Sequence, residues 1–124
     1  MVWTQVGSSN ELVYETVTIP DVTGIMATGL YMVPFMPLWI AMPAAWVAAA
    51  LTFEVSHDDT TYVDLFIGGS ETSYTVAVSQ AIGIDADDAL KMGPYLKLRS
   101  GTAATPVDQT AARVLTIYAR RIQS

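Results

Sequence analysis

Hydrophobic and polar positions alternate in short runs along most of this chain, and turn-forming residues separate the runs. Leu12-Val13-Tyr14-Glu15-Thr16-Val17-Thr18-Ile19 is rich in β-branched and aromatic residues and stops at Pro20-Asp21, the pattern of a strand ended by a turn. Gly29 to Val33 predicts a second strand, closed by Pro34. A third lies between Pro37 and Pro43, and its prolines predict an edge or loop position. Leu51, Phe53 and Val55 then alternate with Thr52, Glu54 and Ser56, the period of a strand with one buried face. His57 to Thr61 supplies a turn, Tyr62 to Ile67 returns, and Gly68-Gly69-Ser70 ends the hairpin. Further strands are predicted at Ser73 to Val78, Pro94 to Ser100 and Arg113 to Arg120. Residues 79 to 92 hold no firm period, and a short helical turn is expected around Asp87-Asp88-Ala89-Leu90.

About eight short strands without a long helix predict an all-β fold, an antiparallel β-sandwich of jelly-roll type. With 124 residues the chain suits one domain, expected over residues 11–124. Residues 1–10, ending in Gly7-Ser8-Ser9-Asn10, are expected to form a loose N-terminal arm. There is no internal repeat.

Composition adds a second theme. Hydrophobic residues make up 52% of the chain and charged residues 15%, against a usual charged share of about 25%. So few charges suggest that part of the surface meets other protein, as in a homo-oligomer. The uncharged run from Asp21 to Glu54 is long enough to span a bilayer. However, Gly24, Gly29, Pro34, Pro37 and Pro43 interrupt it and no basic residue flanks it, so no membrane partner is expected. The start, Met1-Val2-Trp3-Thr4-Gln5, lacks a basic region and an apolar run, which predicts synthesis in a cytoplasm without export.

The net charge is −6 and is unevenly spread: all six basic residues lie from Lys91 onward, and eleven of the twelve acids precede it. An acidic balance speaks against nucleic acid as a partner. Alternation places Lys97 and Arg99 on one face of their strand, opposite Leu96 and Leu98. One reading makes them, with Arg113 and Arg120, a cationic edge that meets Asp58, Asp59 or Asp64 of another subunit; the other leaves solvated faces of mixed charge.

The parts for catalysis are sparse. His57 is the only histidine, beside Asp58 and Asp59 in a turn, and no cysteine is present. Structural zinc is thereby excluded, and no glycine-rich phosphate loop precedes a helix. No enzyme activity and no cofactor are expected. Asp85-Ala86-Asp87-Asp88 reads as a capped turn or as carboxylates for calcium, without the spacing of an EF-hand. Trp3, Trp39, Trp46, Tyr31 and Phe35, with Met26, Met32, Met36 and Met42, fill the first third of the chain with groups suited to a core, an interface or sugar stacking. The interface reading selects Tyr31, Phe35, Met36 and Trp39, with Lys97 and Arg99 as its charged members.

Several segments carry a resemblance. Pro43-Ala44-Ala45-Trp46-Val47-Ala48-Ala49-Ala50-Leu51-Thr52-Phe53-Glu54-Val55-Ser56, Asp59 to Leu65, Tyr95 to Thr102 and Pro106 to Ala111 resemble segments of small structural proteins of tailed bacteriophages. The likeness covers residues 43 to 119. Where such proteins often carry an aspartate-glycine turn, this chain reads Asp58-Asp59. The same segments are similar to discoidin-like sugar-binding sandwiches. The phage resemblance implies a jelly-roll capsid decoration or cement protein on the virion exterior. Such a protein clamps major capsid protein subunits and associates with itself as a dimer or trimer. No catalytic residue is carried over. The alternative is a carbohydrate-binding module of a virion or secreted assembly, with tryptophans exposed as a platform. A cupin-like enzyme is a distant third, because cupins need several histidines.

Overall fold

The computed structural model describes residues 3–122 and shows an all-β sandwich of two antiparallel sheets. The first sheet contains β1 (Thr4–Val6), β2 (Ser9–Ile19), β12 (Arg113–Arg121), β4 (Phe35–Ala41) and β10 (Ala81–Gly83), in that spatial order. The second runs β3 (Leu30–Tyr31), β11 (Tyr95–Ser100), β5 (Leu51–Ser56) and β6 (Val63–Asp64), with β9 (Ser73–Tyr74) also pairing with β5. A ribbon of β7 (Phe66–Ile67) and β8 (Ser70–Glu71) lies between β6 and β9 in the chain. One short helix, α1 (Ala86–Ala89), follows Asp85, close to the helical turn expected there.

Alternation explains the core. Val17, Ile19, Leu115 and Ile117 point inward from the first sheet and meet Leu51, Phe53, Leu96 and Leu98 from the second. Met26, Met32 and Met42 are buried among them, so most of the methionine-rich stretch fills the interior and not a contact surface. Trp3 and Trp46 pack against this core from its margins.

Several sequence expectations change. The return strand read at Tyr62 to Ile67 is divided, Val63–Asp64 pairing with β5 and Phe66–Ile67 with β8, and the strand read at Ser73 to Val78 is only Ser73–Tyr74. The stretch read as a loose arm pairs instead: β1 folds back on β2, matching Thr4 with Tyr14 and Gln5 with Val13. The proline-bracketed strand is not at an edge, because β4 runs between β12 and β10. Pro37 is tolerated there because β10 reaches only Trp39 to Ala41, and a register shift beside Tyr118 makes Leu38 an extra residue. Finally, β5 is covered on both faces. Thr52 lies fully buried beneath the Arg99 side chain and the Gly101 carbonyl, and Ser56 is buried within the turn to Asp58 and Asp59, while β6 and β9 pair along the edge of β5.

Two glycines are fixed by space. A Cβ on Gly29 would overlap the Tyr62 hydroxyl, and Gly101 combines φ +91° with the Thr105 carbonyl 2.5 Å from where a Cβ would stand.

Candidate interaction surfaces

The outer face of the second sheet is organised around one guanidinium. Arg99 is only 4% exposed. Its Nε donates to Thr52 Oγ1 at 3.0 Å; Nη1 donates to Glu54 Oε2 at 3.2 Å and Asp64 Oδ1 at 2.8 Å; Nη2 donates to Glu71 Oε2 at 2.8 Å. Glu54 and Asp64 are direct cross-strand partners, a pairing of like charges that Arg99 makes acceptable by bridging both. Glu71 also accepts the Ala103 N–H at 2.9 Å, and the Thr52 hydroxyl donates to the Gly101 carbonyl at 2.6 Å. This is an internal clasp. The expectation that Arg99 reaches acids of another subunit is therefore corrected: Asp64 of the same chain has taken it, because β6 pairs with β5 and sets Asp64 beside Glu54. Lys97 does sit on the same face, with its ammonium 4.3 Å from the centre of the Tyr62 ring.

Arg113 is turned toward Gln109, donating from Nη2 to its carbonyl at 2.9 Å. Gln109 is fully buried and works like an inserted peptide unit. Its side chain accepts the Val47 N–H at 2.7 Å, and its amide donates to the Val47 carbonyl at 2.9 Å and to Ser100 Oγ at 2.6 Å. It pins the loop before β5 to the loop before β12.

The outer face of the first sheet is different. Tyr14, Tyr118 and Trp39 are cross-strand neighbours on β2, β12 and β4. Trp39 stacks on Tyr118 with ring centres 3.9 Å apart, and Tyr14 lies 5.6 Å from Tyr118. Trp3 donates its indole N–H to the Tyr31 carbonyl and packs 5.2 Å from Phe35, while Trp46 donates to the Ala49 carbonyl. All three tryptophans are half-buried, with a face or their donor engaged inside the chain.

An apolar groove of about 430 Å³ opens at one end of the sandwich. Met32, Val33, Pro34, Phe35, Leu90 and Ile122 line it. Leu90 is 63% exposed, Val33 48% and Ile122 41%. The Val33–Pro34 and Gly93–Pro94 peptide bonds beside it are cis. Ile122 is held there by its N–H, which donates to the Pro34 carbonyl at 2.7 Å. Of the expected interface residues, the groove takes Phe35 and lies next to Tyr31, which is exposed on β3 and packs on Tyr95 at 5.0 Å. Met36 and Trp39 lie half-buried along β4, and Lys97 and Arg99 are on the other sheet. The six residues do not form one surface. Sequence reasoning missed Leu90 and Ile122, whose isolated apolar side chains beside charged neighbours were the available signal.

The titratable groups are engaged in turns. Ser56 and the N–H groups of Thr60 and Thr61 surround Asp58 in the turn after β5. The Thr61 and Thr60 amides, then the Ser56 hydroxyl, pull its pKa from 3.8 down to about 2. Asp59 has φ +62° and accepts a hydrogen bond from Tyr62. Burial first, and that bond second, raise the Tyr62 pKa. Tyr74 donates to Asp88 and accepts the Asp85 N–H, and burial with the Asp88 bond pushes its pKa up to about 12. His57 is exposed, 3.7 Å from Asp58 Oδ2. Among the described residues no cluster of three His, Cys, Asp or Glu is placed to hold a metal ion, and no helix is long and apolar enough to cross a membrane.

Compared with protein-family profiles, curated proteins and solved structures, the chain matches none.

Proposed function

We propose that this protein is a structural component of a virion, a β-sandwich that decorates the outside of a tailed-phage shell and cements junctions between major capsid protein subunits. The observation that carries the reading is the apolar groove at Val33 and Leu90, lined by side chains that a folded domain left in water. Apolar patches of this kind mark protein contact sites, and each 100 Å² withdrawn from water contributes roughly 2.5 kcal/mol before the costs of association. The low charge content and the phage-like segments between residues 43 and 119 support the same reading. The jelly-roll winding, the homo-oligomer and the place on the capsid exterior belong to it.

The mechanism would be linkage. A protein that binds only the assembled shell stabilises that shell by mass action. The test is survival of shells under heat or low-salt challenge with and without the protein. Added protein should protect, and Leu90→Glu, at an exposed position that leaves the core untouched, should bind and protect far less. Equal survival with and without the protein would remove the cementing role.

A further inference from the structure

We infer that the outer edge of β2 from Glu15 to Ile19 is a self-complementary pairing site, through which two copies join their first sheets antiparallel about a two-fold axis at Val17.

The argument starts from which backbone groups are spent. Met42 N–H donates to the Gln80 carbonyl and Ile84 N–H to the Leu38 carbonyl, so Leu38, Ile40 and Met42 turn their peptide groups toward β10. In an antiparallel sheet adjacent residues point their peptide groups to opposite sides. Trp39 and Ala41 therefore face β12, and their partners Tyr118 and Thr116 face β4. Leu115 and Ile117 then bond Val17 and Glu15 across the other side. What remains is Tyr14, Thr16 and Thr18, which aim their N–H and C=O groups away from β12. Tyr14 meets Thr4 of β1. Beyond it, among the described residues, no strand lies against Thr16 or Thr18, and the Thr16 N–H donates at 3.1 Å to the side chain of Glu15.

Among the described residues this open edge has definite ends. Thr4 closes it at Tyr14, and Pro20 ends β2 at the other side. A groove of about 330 Å³ runs beside it, floored by Val17 and Met26, with exposed Ala27 and Thr28 as the far lip. Small residues on that lip leave room for a neighbouring sandwich. The stretch carries no lysine, proline or bulge; its one charge, Glu15, shares the inward side of the strand with Val17 and Ile19 and caps the Thr16 N–H, a bond that pairing must displace.

The occupant that fits is the same edge of a second copy. In the register centred on Val17, Thr16 of one copy exchanges both backbone hydrogen bonds with Thr18 of the other. Glu15 falls opposite Ile19, so no like charges meet. The threonine side chains pair on the outer face. The two first sheets then become one continuous sheet, by the strand addition common at exposed edges. This contact needs no shell, and it is separate from the groove at Leu90.

Sedimentation of the full chain over a wide concentration range tests it, with circular dichroism confirming that each variant folds. The wild type should dimerise. Thr16→Lys with Thr18→Lys sets lysines opposite lysines at both crossings and should weaken the dimer about tenfold or more. Thr16→Lys with Thr18→Glu sets each lysine opposite a glutamate and should retain it. Amide exchange at Thr16 and Thr18 should slow as concentration rises. A wild type that stays monomeric overturns the inference. So does equal behaviour of the two double variants, which would place the contact elsewhere or give the edge another occupant.

Discussion

The two sheets present opposite solutions to the problem of an outer face. The first leaves its face open and nearly uncharged, with Trp39 stacked on Tyr118, Tyr14 tilted against the same ring, and Thr16 and Thr116 beside them. The second carries charge on its outer face and gathers three carboxylates, from β5, β6 and β8, around a buried Arg99. One face is held by side chains that need no fixed partner. The other rests on a single cation whose loss would leave three acids facing one another. The lesson is that charge poverty in this chain does not mean charge is unimportant, because the few charged groups are concentrated where one long-range residue satisfies several others.

The largest effect should come from breaking that asymmetry. Arg99→Met should destabilise the fold by about 3 kcal/mol, since the carboxylates keep part of their hydration but lose their common partner. Adding Glu54→Gln, Asp64→Asn and Glu71→Gln to Arg99→Met should recover a good part of the loss. Urea unfolding measures both; a shift below about 1 kcal/mol for Arg99→Met would mean that packing, not the cation, holds the β6 to β9 segment. Gln109→Leu comes next. It strands the Val47 N–H and C=O and the Ser100 hydroxyl in a dry site, at a cost of about 2 kcal/mol. A neutral result in the same unfolding experiment would show that water takes the place of the amide.

How much of this contrast was legible beforehand depends on the range of the interaction involved. Strand identity is local, and alternation located β5, β11 and β12 within a residue, and β2 from Leu12 although the strand starts at Ser9. The inward side of β11 was also legible, since Leu96 and Leu98 share it. What alternation could not say is what lies above Lys97 and Arg99. A period of two gives sides, and a side becomes buried only when a distant segment covers it. The acids did carry a signal: with no basic residue before Lys91, any partner for Glu54, Asp64 or Glu71 must be far along the chain. β10 was missed because Ala81-Ile82-Gly83 has one β-branched residue and no pattern. Its strand character comes from pairing with β4. β1 was missed because Gly7-Ser8-Ser9-Asn10 reads as a flexible tail and as a hairpin turn equally well. The groove is legible only in three dimensions, where Val33, Leu90 and Ile122 come together from three parts of the chain.

On the open face a smaller energy is at stake. A double-mutant cycle on Trp39→Ala and Tyr118→Ala should give a coupling of about 1 kcal/mol, the usual worth of a well-stacked pair beyond its buried area. Thermal unfolding of the four proteins measures it. A coupling near zero would mean that the rings lie together only because their strands do. The same cycle on Tyr14 and Tyr118, whose centres are further apart, should give less.

The smallest effect separates the sheets by pH. Asp58 belongs to the second sheet's turn, and its pKa in the folded chain is about 2 against an ordinary 3.8. The sign follows from proton uptake. The unfolded chain binds this proton first as pH falls, so the carboxylate's stabilisation is complete above about 4 and is lost progressively as pH drops toward about 2. The hydrogen bonds concerned run from the Thr60 and Thr61 amides, each at 2.9 Å, and from Ser56. Nuclear magnetic resonance of the Asp58 carboxyl carbon should show a midpoint near 2, and the Thr60 and Thr61 amides should shift with it. Asp58→Asn keeps an acceptor oxygen but cannot titrate, so its Thr60 and Thr61 amides should lose that dependence. The Thr116 and Tyr118 amides, across the sandwich, should not follow Asp58 through this window. A midpoint at 3.8, or amides that move identically in wild type and Asp58→Asn, would show that the carboxylate charge does not hold the turn.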